Sequence, residues 1–116
     1  MKNLRDALLT LHRELLGEQR IQAERFGGRM SASEVLQAAA DDLRFVWLKE
    51  LSELIAALDE ARAEDDEAAA EAAIARAREL LDPPDPDTAF GARYLRALQD
   101  HPGVVLAHRD VTAALG

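Results

Sequence analysis

The chain has 116 residues, of which 48% are hydrophobic, 31% charged and 4% aromatic, and its formal net charge is −8. This length suits one domain, over 1–116, with a single core. The lack of cysteine excludes disulfides and thiolate chemistry, and the acidic charge disfavours nucleic acid, because its binders neutralise phosphates with Lys and Arg. The excess of Ala, Leu, Glu and Arg predicts an all-α fold.

The first predicted helix covers residues 3–26, with Asn3 as its N-cap and two glycines as its stop. Its apolar stripe and flanking residues are Leu4, Leu8, Leu11, Leu15, Leu16, Ala23 and Phe26. Polar residues on the same stripe are His12, Gln19 and Gln22. Two explanations stay open. Either the helix end projects beyond the core, or His12, Gln19 and Phe26, spaced seven apart, line a polar pocket or partner-facing groove.

A short linker separates the first helix from the next. Ser31 and Glu34 have the spacing of a capping box, in which each side chain satisfies the other residue's backbone N–H, so a second helix is predicted to start there. Asp41 and Asp42 offer an N-cap for the following segment. The pattern fits a break at this point and one long helix over 33–62 equally well.

The most apolar stretch contains the single tryptophan, and we predict a central helix over 43–62. Its apolar arc consists of Leu43, Val46, Trp47, Leu51, Leu54, Ile55 and Leu58, and it is widened by Phe45 and Leu48. An arc of this width predicts contact with more than one neighbour and places Trp47 in the core. Interrupting charges exclude a membrane span. Glu50 lies near the middle of the arc, which predicts a carboxylate at the rim of the core, paired with an Arg of a neighbouring helix.

An acidic run at 59–68 is predicted to contain a turn, after which Asp65 or Asp66 caps an Ala-rich helix that reaches Leu81. The prolines of residues 82–87 predict a loop, because proline lacks the backbone donor and restricts the preceding residue.

Asp87 or Thr88 is expected to cap a helix from Ala89 to Asp100. Its predicted apolar face is Phe90, Tyr94, Ala97, Leu98 and His101. Pro102 suits the first position of a last helix that ends at Leu115. That helix is predicted to bury Val104, Val105, Val111 and Leu115, with His108 on the same stripe.

Three segments carry a resemblance to known proteins. The stretch 36–59, with the run FVWLKELSELIAALDE, together with YLRAL at 94–98 and VLAH at 105–108, resembles small, uncharacterised bacterial proteins of all-helical fold. The resemblance implies an all-helical fold and a bacterial source, and it implies no activity. The scarcity of lysine beside arginine, which is typical of GC-rich coding, also indicates a bacterium.

The sequence contains no HExxH, P-loop, GxSxG or GxGxxG motif, and no Glu precedes a His by three residues as in di-iron bundles. We therefore expect no catalytic residue and no cofactor. The three histidines, His12, His101 and His108, all map to apolar stripes, so they are the candidate ligands for a metal or haem, with Glu50 as an additional ligand. Ordinary packing explains each histidine singly, and we expect the three rings to lie apart.

The sequence thus predicts a single compact bundle of four main helices, or five to six by strict assignment. As function it predicts a non-catalytic protein-interaction module that forms a homodimer through the first helix or the Ala-rich helix. One alternative is a bundle that binds a small ligand, metal or haem near His12, Gln19 and Glu50. A weaker one is an acidic antitoxin-like or inhibitor protein that covers a basic partner. Charges near the N-terminus argue against an export signal, so we expect a cytoplasmic protein without nucleic-acid or membrane partners.

Overall fold

The computed structural model describes residues 3–35 and 46–116, apart from the side chains of Gln22 and Phe26. Within that part of the chain there are five long α-helices and no β-strand. The helices are α1 (Leu4–Gly27), α2 (Lys49–Ala63), α3 (Glu67–Leu81), α4 (Ala89–Asp100) and α5 (Pro102–Leu115). The fold is therefore the predicted all-α bundle. The possible break at 41–42 lies outside the described residues.

The helices begin where side chains can satisfy free backbone N–H groups. The Asn3 side chain accepts a hydrogen bond from the N–H of Asp6, the Asp66 carboxylate accepts one from Ala69, and the Thr88 hydroxyl accepts one from Gly91. The predicted capping box is also present. The Ser31 hydroxyl accepts from the N–H of Glu34 at 3.2 Å, and the Glu34 carboxylate accepts from the N–H of Ser31 at 3.4 Å.

The end of α1 is held by a small polar cluster. Gly28 ends the helix with a φ of 84°, a conformation that glycine adopts without strain. The Met30 N–H donates to the Glu24 carboxylate at 2.7 Å, and the Arg20 guanidinium donates both to that carboxylate and to the Met30 carbonyl. These bonds, first the one from Met30, lower the pKa of the Glu24 carboxyl. The chain after α1 is thereby fastened to the helix's last two turns.

The core lies where α1 packs against α5 and α2, α2 packs against α3, and α4 packs against α5. Its fully or almost fully buried large side chains are Leu8, Leu11, Leu15, Leu51, Leu54, Leu81, Tyr94, Val104 and Val111. Small residues on the same faces, among them Ala7, Ala77 and Ala107, are also buried and let the helices approach closely. The predicted stripes of the first and central helices are confirmed at the leucines of this set.

The helix predicted over 43–62 is observed as α2 and, as predicted, packs against two neighbours, α1 and α3. Its start differs from the prediction. Residue 46 is helical, but residues 47–48 form a turn and the regular helix begins at Lys49, while residues 43–45 lie outside the described ranges. The N–H groups of Leu51 and Ser52 both donate to the Leu48 carbonyl, and the Leu48 side chain is buried. The turn therefore keeps Leu48, a residue of the predicted arc, in the core.

The prediction that Val105 is buried is wrong, because its side chain is 44% exposed. The buried face of α5 consists of Val104, Ala107, Val111 and Leu115, spaced by three, four and four residues. Neighbouring residues on a helix lie about 100° apart, so a face centred on Val104 and Ala107 turns Val105 towards water.

Among the described residues, no helix combines the length and the hydrophobicity that crossing a bilayer requires.

Candidate functional site

His12 joins α1 to α2. Its Nε2 lies 2.9 Å from Oγ of Ser52, and the ring is partly buried between the helices. Burial lowers the pKa of the His12 imidazole, because a low-polarity environment disfavours the charged ring. The ring and the hydroxyl form one hydrogen bond, which joins α1 to α2.

Gln19 is occupied by the tryptophan. The Trp47 indole N–H donates to Oε1 of Gln19 at 2.9 Å, and the Trp47 ring lies 5.4 Å from the ring of Phe90, centroid to centroid. Trp47 contacts the core but is only partly buried, so it stands at the core's edge and not inside it as predicted. An amphipathic indole with a bonded N–H suits such an edge.

Glu50 does not join His12 and Gln19. Its exposed side chain lines a shallow groove of about 160 Å³ between α2 and α3, together with Leu54, Arg76, Glu79 and Leu80. Positions 50 and 52 are separated by about 200° around a helix, so Glu50 and the Ser52 partner of His12 point to different sides of α2. The structure therefore does not assemble the predicted pocket of His12, Gln19 and Glu50. The side chain of Phe26, the third residue of the predicted groove on α1, lies outside the described part.

His108 is bonded to a buried tyrosine. The Tyr94 hydroxyl lies 2.6 Å from Nδ1 of His108, and the Tyr94 side chain is fully buried. Burial raises the pKa of Tyr94 well above its ordinary value, and burial also lowers the pKa of His108, an effect that the nearby charge of Asp82 opposes. Tyr94 and the imidazole of His108 thus share one hydrogen bond, and the hydroxyl is satisfied inside the core.

The same tyrosine belongs to a row of four rings. Trp47 contacts Phe90, Phe90 stacks on Tyr94 with 5.5 Å between centroids, and Tyr94 contacts His108 at 5.4 Å. Such tilted and offset pairs stabilise a fold beyond the area that they bury. The row connects the segment before α2 to α4 and α5, and we interpret it as structural.

His101 serves as the N-cap of α5. Its Nδ1 accepts a hydrogen bond from the N–H of Gly103 at 3.1 Å. Its Nε2 lies 3.7 Å from Oε2 of Glu14 and 4.0 Å from Oε2 of Glu18, both on α1. The ring therefore lies between the α4–α5 junction and the middle of α1.

The structure does not bring the three histidines to one point, since each has its own partners on different helices. His101 caps the start of α5, and His108 lies seven residues further along, about 10 Å in the direction of the helix axis. Within the described ranges, no group of three or more His, Cys, Asp or Glu side chains is placed to hold a metal ion. The candidate haem or metal ligands are instead explained by separate structural contacts.

The most distinctive surface feature lies beside His101. An open groove of about 550 Å³ is lined by Glu18, Ile21, Arg25, Asp100, His101 and Pro102. The large hydrophobic side chains that are exposed in the described part of the chain are Ile21 (48%), Val105 (44%) and Leu106 (62%). Pro102, Val105 and Leu106 share one face of α5 at spacings of three and four residues. We call Ile21, Pro102, Val105 and Leu106 the apolar patch.

A second open groove, of about 410 Å³, lies at the other end of α1. Its lining includes Asn3, Arg5, Leu58, Arg62 and Glu67. Asn3 caps α1, and the Arg5 guanidinium donates to the Asp59 carboxylate at 2.9 Å, so the fold already uses these polar groups. Because Asn3 and Arg5 are already used within the fold, we assign no ligand to this groove.

Sequence reasoning missed the apolar patch, because it assigned Val105 to the core and did not single out Ile21 and Leu106. One signal was available. Val104, Val105 and Leu106 are three consecutive large apolar residues, and a helix that buries one narrow face must leave part of such a run in water.

Comparisons of the chain with protein-family models, with curated proteins and with solved structures gave no match.

Proposed function

We propose that this chain is a non-catalytic protein-interaction module of the bacterial cytoplasm and that it binds its partner through the apolar patch. One observation carries the proposal. The exposed large hydrophobic side chains of the described chain all lie on α1 and α5, the two helices that pack together beside the groove. Several large apolar side chains exposed on two neighbouring helices are typical of an interaction surface, whereas single exposed leucines are ordinary.

The free energy gained by covering the patch suits a reversible contact. Fully burying an aliphatic side chain contributes about 1.5–3 kcal/mol, and the three residues are each about half exposed, so covering them would contribute about 3 kcal/mol. A partner must supply further contacts, and the charged residues around the groove offer them: Glu18, Arg25 and Asp100. An apolar centre with a polar rim is the usual anatomy of a protein interface.

Other features agree with this proposal. The polar side chains that could bind a metal or a ligand form hydrogen bonds within the fold instead: His12, Gln19, His101 and His108. A chain without cysteine is compatible with a reducing compartment.

Site-specific photo-cross-linking tests the proposal whatever the identity of the partner. Benzoylphenylalanine would replace Leu106 in the full chain, expressed in bacterial cells, and irradiation should give a discrete cross-linked product. The matched control carries the same residue at Ala72, an exposed position on α3 that is remote in sequence from the patch.

A product from position 106 and none from position 72 would support an interaction surface at the patch. The product's mass separates a second copy, at twice 12.7 kDa, from another protein. Equal labelling from both positions, or no product from position 106, would contradict the proposal.

A further inference from the structure

We infer that His101 is a proton-sensitive cap: its ring caps α5 only while it is neutral, and protonation releases the first turn of that helix. This inference stands apart from the proposed function, because it rests on the α4–α5 junction and needs no partner. Histidine is the side chain that ordinarily changes its charge between about pH 5 and pH 8. A cap made by an imidazole can therefore be switched by a proton, whereas a cap made by the amide of Asn or the hydroxyl of Thr cannot.

The hydrogen bond at the start of α5 fixes the position of the proton on the neutral ring. A backbone N–H can only donate, so Nδ1 of His101, which accepts from Gly103 at 3.1 Å, carries no proton. The proton of the neutral ring is then on Nε2, the nitrogen that faces Glu14 and Glu18. A second proton has only Nδ1 to bind, and it would place an N–H of the ring against the N–H of Gly103. The capping bond and the charged ring therefore exclude one another.

The first turn of α5 depends on residue 101 for its backbone partners. Pro102 has no N–H, and the Gly103 N–H donates to the ring. The N–H groups of Val104 and Val105 donate to the carbonyl of residue 101 at 3.1 and 3.4 Å. Loss of Nδ1 as an acceptor leaves the Gly103 N–H to solvent, while the two bonds to the carbonyl can persist. Protonation therefore loosens the start of α5 without unfolding the helix.

The groups around the ring determine where a charged ring moves. Glu14 and Glu18 on α1 face Nε2 at 3.7 and 4.0 Å. An added Cβ at Gly103 would come within 2.5 Å of Oε2 of Glu14, so this carboxylate also lies against the first turn of α5. Asp100, at the end of α4, and Arg25, on α1, line the groove beside the ring. The two facing carboxylates attract a charged ring and the positive end of α5 repels it, so the protonated ring should move from the cap towards α1.

Protonation alters the groove as well as the helix. His101 and Pro102 form part of the groove's lining, so displacement of the ring changes the wall formed by the α4–α5 junction. The proton also adds one positive charge to a lining that contains Glu18, Asp100 and Arg25. The shape and the charge of this groove are therefore linked to pH.

An NMR titration of the full chain labelled with ¹⁵N, between about pH 8 and about pH 5, tests the cap. At the upper end, long-range ¹H–¹⁵N spectra should show a proton on Nε2 of His101 and none on Nδ1. As the pH falls, both ring nitrogens should become protonated, and the amide proton signal of Gly103 should move upfield along the same curve. Gly91 is the internal reference. Its N–H is capped by the Thr88 hydroxyl, which does not titrate, so its signal should not follow the curve of the ring.

His101→Asn is the matched variant, because an amide oxygen is a preferred helix cap and does not titrate. In H101N the Gly103 signal should stay fixed over the whole pH range, and circular dichroism should show unchanged helix content in both chains. A neutral ring with its proton on Nδ1 would overturn the inference, as would a ring that keeps one charge state throughout the titration. So would a Gly103 signal that stays fixed while the ring titrates, or one that moves equally in H101N. Loss of helix content along the same curve would also overturn it, since the change would then be global.

Discussion

Removing the Tyr94 hydroxyl should destabilise the protein by about 1–2 kcal/mol. Tyr94→Phe keeps the fully buried ring and its stacking on Phe90 but removes the 2.6 Å hydrogen bond to Nδ1 of His108. A typical hydrogen bond contributes about 0.5–1.5 kcal/mol, and leaving a buried partner unsatisfied costs about 1–3 kcal/mol. His108 is partly exposed, so water can reach its ring, and the expected loss lies between the usual value of a hydrogen bond and the upper cost of an unsatisfied group.

Urea unfolding followed by circular dichroism measures this loss as a lower midpoint at an unchanged m-value. The melting temperature should fall by about 4–8 °C, given a chain of this size. A double-mutant cycle with His108→Ala isolates the bond, and we expect a coupling free energy of about 1 kcal/mol between the two positions. A coupling near zero would refute the reasoning, because the hydroxyl would then have no energetic link with His108.

Three further results follow from the packing and the buried groups. Gly17→Ala should stabilise the protein by about 0.5–1 kcal/mol, because an added Cβ inside α1 meets nothing within 4 Å. Gly91→Ala should destabilise it by about 3 kcal/mol or more, since that Cβ would overlap the Asp85 carbonyl. Thermal unfolding compares the two variants directly. Trp47→Phe should lower the free energy of unfolding by about 1 kcal/mol in urea, because it removes the hydrogen bond to Gln19. An unchanged free energy would show that a hydrogen bond from the indole N–H to water is equally favourable. Burial lowers the pKa of His12 and of His108, so near and below pH 6.5, roughly the ordinary pKa of histidine, the unfolded chain binds more protons than the folded one. The free energy of unfolding should therefore fall as the pH falls from about 7.5 to about 5.5. Replacing both histidines with Gln should flatten this dependence, and an unchanged slope would contradict it.

The helix boundaries were predictable because they depend on chemistry within a few residues. Asn3, the Ser31–Glu34 box, Asp66 and Pro102 each act on backbone groups at most four positions away. The start of α2 was not predictable in the same way. No polar cap precedes Lys49, and the turn there brings Leu48 into a core formed by distant helices.

The roles of the histidines depend on tertiary packing. His12 bonds to a residue 40 positions away, and His108 bonds to one 14 positions away. Periodicity places each on an apolar stripe but cannot state which helix faces it. Val105 shows the same limit. The sequence pattern allows both Val104 and Val105 on the buried face, and only the packing of α1 against α5 shows that Val104 is the buried one.

Whether the partner at the apolar patch is a second copy of this chain is tested most directly by a dilution series of methyl NMR spectra of chain labelled at Ile, Leu and Val. We predict that the methyl signals of Ile21, Val105 and Leu106 shift together with concentration and fit a single Kd. Signals of the buried Val111 and of Leu54, beside the α2–α3 groove, should stay fixed. Concentration-independent spectra, or shifts centred on residues outside the apolar patch, would contradict self-association at this surface.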